Sequence, residues 1–260
     1  MATPFSVEDL LQFYRKGIFP MADSRDNPSF FLMSPERRGL LPLKGFHIPK
    51  RLKRRVCQDP FHVTFDAAFR RVIEACAEPH PDRQTTWIND GIIDVYTLAH
   101  RRGYAHSVEC WDGEDLVGGL YGVALGGAFF GESMFSRATD ASKIALVHLV
   151  AHLIDRGYVL LDAQFHNPHL DQFGMFEVSR DEFRALLHSA LQLKVTFHPS
   201  PARQSIGSGS GTTSSMTGGS SVPDSVAGTS SVNGSSPSGM VTRSGSFTGA
   251  GAVQRITQIS

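Results

Sequence analysis

The chain has 260 residues, with 25 Lys and Arg balanced against 25 Asp and Glu; it is long enough for one large or two small domains and too evenly charged for wholesale binding of a polyanion. Its cysteines, Cys57, Cys76 and Cys110, lie far apart with no C-x-x-C pair, which argues against a disulfide framework or a cysteine zinc site and fits a reducing, cytoplasmic setting. No basic leader precedes an apolar segment and no apolar run approaches about 18 residues, so neither a signal peptide nor a membrane span is expected.

Val7 to Lys16 sets Val7, Leu10, Leu11 and Tyr14 on one face at helical spacing, with Ser6 as N-cap and Gly17 as stop. Ile18-Phe19-Pro20 leads into a stretch through Pro35 and Pro42 whose prolines are expected to fix the chain without regular structure. Lys44 to Arg55 then gathers Lys50, Arg51, Lys53, Arg54 and Arg55 in one short span. Such a cluster can neutralise phosphates without reading sequence, or it can simply be the solvated face of a helix. Phe61 to Phe65 reads as a strand, and Asp66 to Ala77 as a helix with Phe69, Val72, Ile73 and Cys76 inward. After the acidic loop and Trp87-Ile88, Asp90 to Arg102 reads as a helix carrying Ile92, Ile93, Tyr96 and Leu98, closed by Gly103. Residue pattern alone lets Tyr14, Trp87 and Tyr96 be ordinary core aromatics.

The stretch Ala105 to Ser136 organises the rest. Val108 to Trp111 and Leu116 to Leu125 are β-rich and meet across Asp112-Gly113, a hairpin signal. The second run reads as continuing through Ala128-Phe129-Phe130 into Gly131-Glu132-Ser133-Met134-Phe135-Ser136. Gly118, Gly119, Gly122, Gly126 and Gly127 weaken a strand that only packs, and suit a place where a ligand or a second backbone comes close. Glu132 sits among apolar neighbours, where a carboxylate needs a cation or donors.

Thr139 or Asp140 is the expected cap of a helix from Ala141 to Arg156 that stops at Gly157. His148 and His152 have i, i+4 spacing, but the glutamate of an H-E-x-x-H motif is missing, so they read as helix-face histidines and no metal is assigned. Tyr158 to Phe165 is an apolar strand interrupted by Asp162 and Gln164, which alternation puts on one face; the pair either caps a loop or orients an incoming amine. Asn167 to Phe173 reads as a short helix, Phe176 to Val178 as a strand, and Ser179 to Leu193 as a helix opened by a capping box. The folded part is expected to end near His198. From Pro199 to Val253, Ser, Gly and Thr dominate and predict disorder, whereas Arg255 to Ile259 is slightly more apolar and could dock at a place the sequence does not specify; a chain ending near Ser200 is expected to keep its turnover and melting behaviour.

Gly131-Glu132-Ser133-Met134-Phe135-Ser136, followed by Ala141-Ser142-Lys143 and Leu161-Asp162-Ala163-Gln164, resembles the leucyl/phenylalanyl-tRNA-protein transferases. With Gly17-Ile18-Phe19-Pro20 and Thr86-Trp87-Ile88, the likeness covers nearly everything from Leu10 to Leu193. It implies an α/β fold of mixed α+β character: a small N-terminal domain over 1–60, a GNAT-like catalytic domain over 61–198 and a Ser/Gly-rich disordered tail over 199–260. It further implies a cytoplasmic monomer, without cofactor, that moves Leu, Phe or Met from aminoacyl-tRNA to the N-terminal Arg or Lys of acceptor proteins and marks them for N-end-rule degradation. On this resemblance Asp162 and Gln164 orient and polarise the amine, and Glu132 offers negative potential beside it. Tyr14, Trp87 and Tyr96 line the substrate site, Leu120, Phe129 and Met134 form a side-chain pocket, and Lys50, Arg51, Lys53, Arg54 and Arg55 hold the tRNA backbone.

The donor is an activated ester, so transfer requires a deprotonated amine, alignment and a stabilised carbonyl oxygen, and no covalent intermediate. No G-x-S-x-G elbow or triad spacing is present, and Cys110 and Ser133 are the nearest rival nucleophiles. Many family members carry paired tryptophans where Leu32-Met33 precede Ser34-Pro35, which leaves Phe30 or Phe31 to stack on a terminal adenosine. Two other classes compete. An acetyl-CoA N-acetyltransferase would wrap a pyrophosphate before the central helix, but Ser136 to Ser142 contains no glycine there. A noncatalytic RNA-binding module explains the basic run and leaves Glu132, Asp162 and Gln164 without purpose.

Overall fold

The computed structural model describes residues 5–79, 85–198 and 248–259. Helix α1 (Val7–Arg15) opens on a reciprocal capping box between Ser6 and Asp9 and stops at Gly17, whose φ of 74° suits glycine. The proline-spaced stretch contains three short strands, contrary to the sequence expectation. Strands β1 (Phe19–Met21) and β2 (Phe31–Met33) form a two-stranded ribbon, and β3 (Arg37–Leu41) joins the main sheet. Pro35 and Pro42 lie just outside β3 and delimit it without removing a ladder donor.

Helix α2 (Lys50–Val56), strand β4 (His62–Phe65), helix α3 (Phe69–Ala77) and helix α4 (Asp90–Arg101) follow. Helix α3 starts later than its periodicity suggests, because Asp66 takes a φ of 59° and turns the chain first. Next come β5 (Ala105–Asp112), β6 (Asp115–Leu125) and β7 (Ala128–Ser136). The run read as one long strand is thus two, reversed at Gly126-Gly127, where Gly126 has a φ of 55°. Helix α5 (Ala141–Arg156), strand β8 (Leu160–Gln164), helix α6 (Pro168–Asp171), strand β9 (Phe176–Ser179), helix α7 (Arg180–Leu191) and helix α8 (Gly249–Thr257) complete the order. Asp140 occupies the N-cap position of α5 but makes no side-chain cap; the Ser142 N–H donates instead to Ser136 Oγ at 3.2 Å.

The seven-stranded sheet runs β4-β5-β6-β7-β8-β3-β9, antiparallel throughout except for the parallel pair β7 and β8. Alternation along its strands feeds two cores. Tyr121, Val123 and Phe130 join the core built with α1, α3, α4 and α7, while Leu120, Ala124 and Phe129 join that of α2, α5, α6 and α8. Because β3 lies between β8 and β9, the stretches 1–60 and 61–198 contribute to one sheet. The strand glycines admit a second piece of protein: a Cβ on Gly118 would lie 2.4 Å from the Ala141 Cβ at the start of α5.

Residues 199–247, most of the span expected to be disordered, lie outside the described residues. The end of the chain departs from that expectation. Thr248 caps α8, which buries Ala252, Val253 and Ile256 in the second core, and the Gly249 N–H donates to Asp59 Oδ1 at 2.5 Å. Arg255 pairs with Asp155 on α5. A few apolar residues at helical spacing suffice to dock a short segment on an existing core. Burial of Val253 and Ile256 contributes about 1.5–3 kcal/mol each, less the entropy of ordering the helix. A chain ending near Ser200 should therefore melt about 5 °C lower, while a chain lacking 205–240 but keeping α8 should melt like the full protein. Equal melting of all three in calorimetry would remove α8 from the core.

Candidate active site

Glu132 owes its position to a defect in the ladder. Tyr121 pairs with Ser133 and Gly122 with Gly131, so Glu132 is the extra residue of a β-bulge on β7. Bulges re-aim side chains, and this one turns a carboxylate toward the gap between two parallel strands. Strands β7 and β8 pair at Ala128 with Leu160, Phe129 with Leu161 and Phe130 with Asp162, and the ladder stops there. Beside that point opens a cavity of about 250 Å³. Leu41, Leu120, Met134, Leu146, Leu161 and Leu170 supply apolar wall, and Glu132 and Asp162 supply charge. The volume lies below that of typical small-molecule pockets and suits one apolar side chain.

Donors rather than a cation meet Glu132. Its Oε1 accepts from Tyr14 Oη at 2.6 Å and from Gln164 Nε2 at 3.0 Å, and its Oε2 accepts from Tyr96 Oη at the longer distance of 3.3 Å. The two tyrosine oxygens are 2.5 Å apart. Two hydroxyl hydrogens thus serve three close contacts while Glu132 is ionised, and a proton on the carboxyl would supply the third. Burial pushes the Glu132 carboxyl up to about 7, with the hydrogen bonds from Tyr14 and Gln164 pulling the other way. The same burial, with the charge of Glu132 nearby, raises both phenols well above their ordinary value.

The cation goes to Asp162. Arg38 on β3 donates through Nε to Oδ1 at 2.9 Å and through Nη2 to Oδ2 at 2.5 Å, with both side chains at most 1% exposed. The rings of Phe19 and Phe183 flank the guanidinium, 4.7 and 4.4 Å from its carbon, and Nη1 donates to the Gly17 carbonyl at 3.1 Å. Asp162 Oδ1 also accepts the Gln164 N–H at 2.8 Å, which holds Gln164 at a φ of 65°. That conformation is uncommon outside glycine and needs such restraint. The chain of contacts therefore runs Arg38, Asp162, Gln164, Glu132 and then the tyrosines. Asp162 borders the cavity and also positions Gln164, and sequence reasoning missed Arg38. The only available signal was the demand of a buried carboxylate for a cation.

The other expected site residues divide. Leu120 and Met134 line the cavity, whereas Tyr14 and Tyr96 are fully buried and reach it through Glu132. Phe129 does not line it: the ring fills the space over Gly122, where a Cβ would lie 2.4 Å from Phe129 Cε1, and packs against Phe197. Trp87 also lies outside the cavity wall, packed against the first core, with its carbonyl accepting the Ala22 N–H at 3.0 Å. On α2, Leu52 and Val56 turn inward while Lys50, Arg51, Lys53 and Arg54 are exposed, and Arg55 lies over the Phe61 ring at 5.8 Å. None of these five cations has an ion-pair partner among the described residues. Cys110 is buried, its thiol pushed up to about 12 by that burial and directed at the Ala141 carbonyl, so it is a poor nucleophile. Ser133 lines the cavity without a histidine beside it there.

Fold and cavity together define the class: an α/β protein in which one carboxyl, held by two buried phenols and an amide, faces a space the size of one apolar side chain. Residues 40–188 match the family described as leucyl/phenylalanyl-tRNA protein transferase. The chain is 66% identical to the leucyl/phenylalanyl-tRNA-protein transferase of Hyphomonas neptunium across the whole of both chains. It is 57% identical to that of Phenylobacterium zucineum, over 75% of this chain and 88% of the relative, and 58% identical to that of Caulobacter vibrioides, over 76% and 91%. The chain belongs to the leucyl/phenylalanyl-tRNA-protein transferase family. No described helix is long and apolar enough to cross a membrane.

Proposed function

We propose that the protein transfers Leu, Phe or Met from aminoacyl-tRNA to the α-amine of an N-terminal Arg or Lys, a modification that marks the acceptor for N-end-rule degradation. The observation that carries this reading is the apolar cavity abutting the Glu132 network. The donor's side chain occupies the apolar part, which places its ester carbonyl beside Glu132 and Gln164. The acceptor amine attacks that carbonyl carbon, the bond to the ribose oxygen breaks, and the tRNA leaves with its hydroxyl restored. Glu132, near 7 and with Oε2 only loosely engaged, is matched to take the amine proton at neutral pH. Splaying of β7 and β8 beside the central helix fits a GNAT-like arrangement. An acetyl-CoA reading finds little support: at the start of α5 the Ala141 and Ser142 N–H groups already donate to the Ala138 carbonyl and Ser136 Oγ, so they do not offer themselves to a pyrophosphate.

The test compares donors. Leu-tRNA and Phe-tRNA should label an Arg-initiated peptide while Arg-tRNA, Glu-tRNA and acetyl-CoA do not, and initial-rate plots should intersect because both substrates are bound together. Parallel plots, or equal use of Arg-tRNA, would overturn the reading. The exposed face of α2 is proposed to hold the tRNA backbone. Arg51→Ala with Arg54→Ala should weaken every aminoacyl-tRNA alike and flatten the plot of log affinity against log salt by roughly one unit for each phosphate that is no longer neutralised. An unchanged slope in filter binding removes α2 from the interface.

A further inference from the structure

Away from the cavity, one carboxylate gathers imidazoles from separate parts of the chain. Asp66, at the corner between β4 and α3, accepts the Ser107 N–H on Oδ1 at 2.8 Å. Its Oδ2 accepts from His106 Nδ1 at 2.7 Å and from His198 Nε2 at 2.5 Å. His100 stands behind, its Nδ1 3.6 Å from Oδ1 and hydrogen-bonded to the Ala105 carbonyl at 2.9 Å. Burial alone would raise the Asp66 carboxyl, but the hydrogen bonds from His106 and His198 overcome it and hold the group well below the usual carboxylate range. The arrangement thus gathers hydrogen-bond donors from separate elements around one carboxylate.

The rings are held in place. His106 on β5 is 4% exposed and stacks on Phe197 with ring centres 4.0 Å apart and planes 13° from parallel. His198 meets both rings edge-on, and Phe197 is fixed in turn by its carbonyl, which bonds His152 Nε2 at 2.8 Å. One ligand atom from each of Asp66, His106 and His198 lies within 4.8 Å of the others.

We propose that Asp66, His106 and His198 form a zinc site, the ion entering where the two imidazole hydrogens now meet the carboxylate. Imidazole nitrogen and carboxylate oxygen are ordinary zinc ligands at about 2.0–2.2 Å, and tetrahedral geometry sets such atoms about 3.3 Å apart. The present separations of 2.7 and 2.5 Å to Oδ2 need only a modest opening. His198 supplies it, since its side chain is half-exposed on the segment after α7. On binding, the hydrogens that His106 Nδ1 and His198 Nε2 now direct at the carboxylate leave those atoms, passing to the other ring nitrogen or to solvent. The second nitrogen of His106, Nε2, is buried with no acceptor among the described residues, so a hydrogen placed there is a cost that the bonds to the ion must exceed. Three protein ligands leave one position for water, and the Ser107 N–H anchors the ligating carboxylate as the outer contacts of metal sites do. None of the three residues lines the Glu132 cavity, so the ion would clasp the segment ending at His198 to the sheet edge rather than take part in transfer.

The full chain, stripped with a chelator, should bind one Co²⁺ with the visible absorption of a low-coordinate site, and Zn²⁺ should displace it. Saturating Zn²⁺ should raise the melting temperature by about 5 °C. His198→Ala and Asp66→Asn should each abolish the absorption and the thermal shift while keeping transfer activity. Asparagine tolerates the left-handed backbone at 66, so that variant should fold. His188→Ala, at an exposed position on α7, should bind Co²⁺ as the unaltered chain does. Absence of stoichiometric binding, or binding that survives in both His198→Ala and Asp66→Asn, would overturn the site.

Discussion

Arg38→Met should be strongly destabilising, costing about 3–5 kcal/mol, because it leaves the buried Asp162 carboxylate without its cation. Asp162→Ala should cost a similar amount for the mirror reason, and it also releases the Gln164 N–H from the oxygen that restrains its backbone. A loss of turnover in Asp162→Ala therefore needs a second measurement that separates it from unfolding. The double variant Arg38→Met with Asp162→Leu removes both charges at similar volume, and such replacements of buried pairs are often neutral for stability. Urea unfolding should show the double variant to be more stable than either single one, with transfer still depressed because Gln164 no longer aims at Glu132. If Arg38→Met unfolds at the wild-type urea concentration, the pair is not the keystone of this fold. If the double variant recovers full transfer, Asp162 contributes stability alone.

Much of this architecture could be read from residues whose signals are local. Ser6 and Ser179 each precede an acidic residue by three positions, and both form capping boxes. Gly17, Gly103 and Gly157 close helices with positive φ, as their positions after apolar periodic runs suggested. Alternation put Asp162 and Gln164 on one face, and both are buried at the site. What could not be read depended on pairing between distant segments. The bulge that exposes Glu132 exists only relative to β6, and the partner of Asp162 lies 124 residues away on a strand delimited by prolines. Phe129 and Phe130 look alike in sequence, and only the sheet decides which core each fills. Likewise the three residues of α8 that reach the core are too few to stand out from a Ser/Gly-rich background until a core is there to receive them.

Glu132→Gln should lower turnover by about 100-fold, at the small end of what a positioned proton acceptor contributes, and should remove a limb of the pH profile. On the proposed reading the ionised carboxyl is the acceptor, so turnover should climb with pH through about 7 and then level off. The amide variant should be flat across the same range. Stability must shift in the opposite sense. A carboxyl raised from 4.5 to about 7 binds a proton more tightly in the folded state, so its contribution is complete below about 4.5 and is lost as the pH rises to about 7, on the order of 3 kcal/mol in all. His148 and His152, both lowered to about 4 by burial, oppose this, because they favour the folded state increasingly as the pH climbs from about 4 to 6.5. The bare stability profile therefore hides Glu132, and the difference between the unaltered chain and Glu132→Gln isolates it. The amide imitates the protonated carboxyl, offering oxygen to Tyr14 and Gln164 and an N–H to Tyr96. The two proteins should match near pH 4, and the variant should become the more stable one above 7. Tyr14→Phe supplies the cross-check, since loss of a hydrogen bond that favours the ionised form should move the midpoint of the activity limb above 7. A limb that persists unchanged in Glu132→Gln would assign the proton to another group, and a midpoint unmoved in Tyr14→Phe would uncouple the phenol from it.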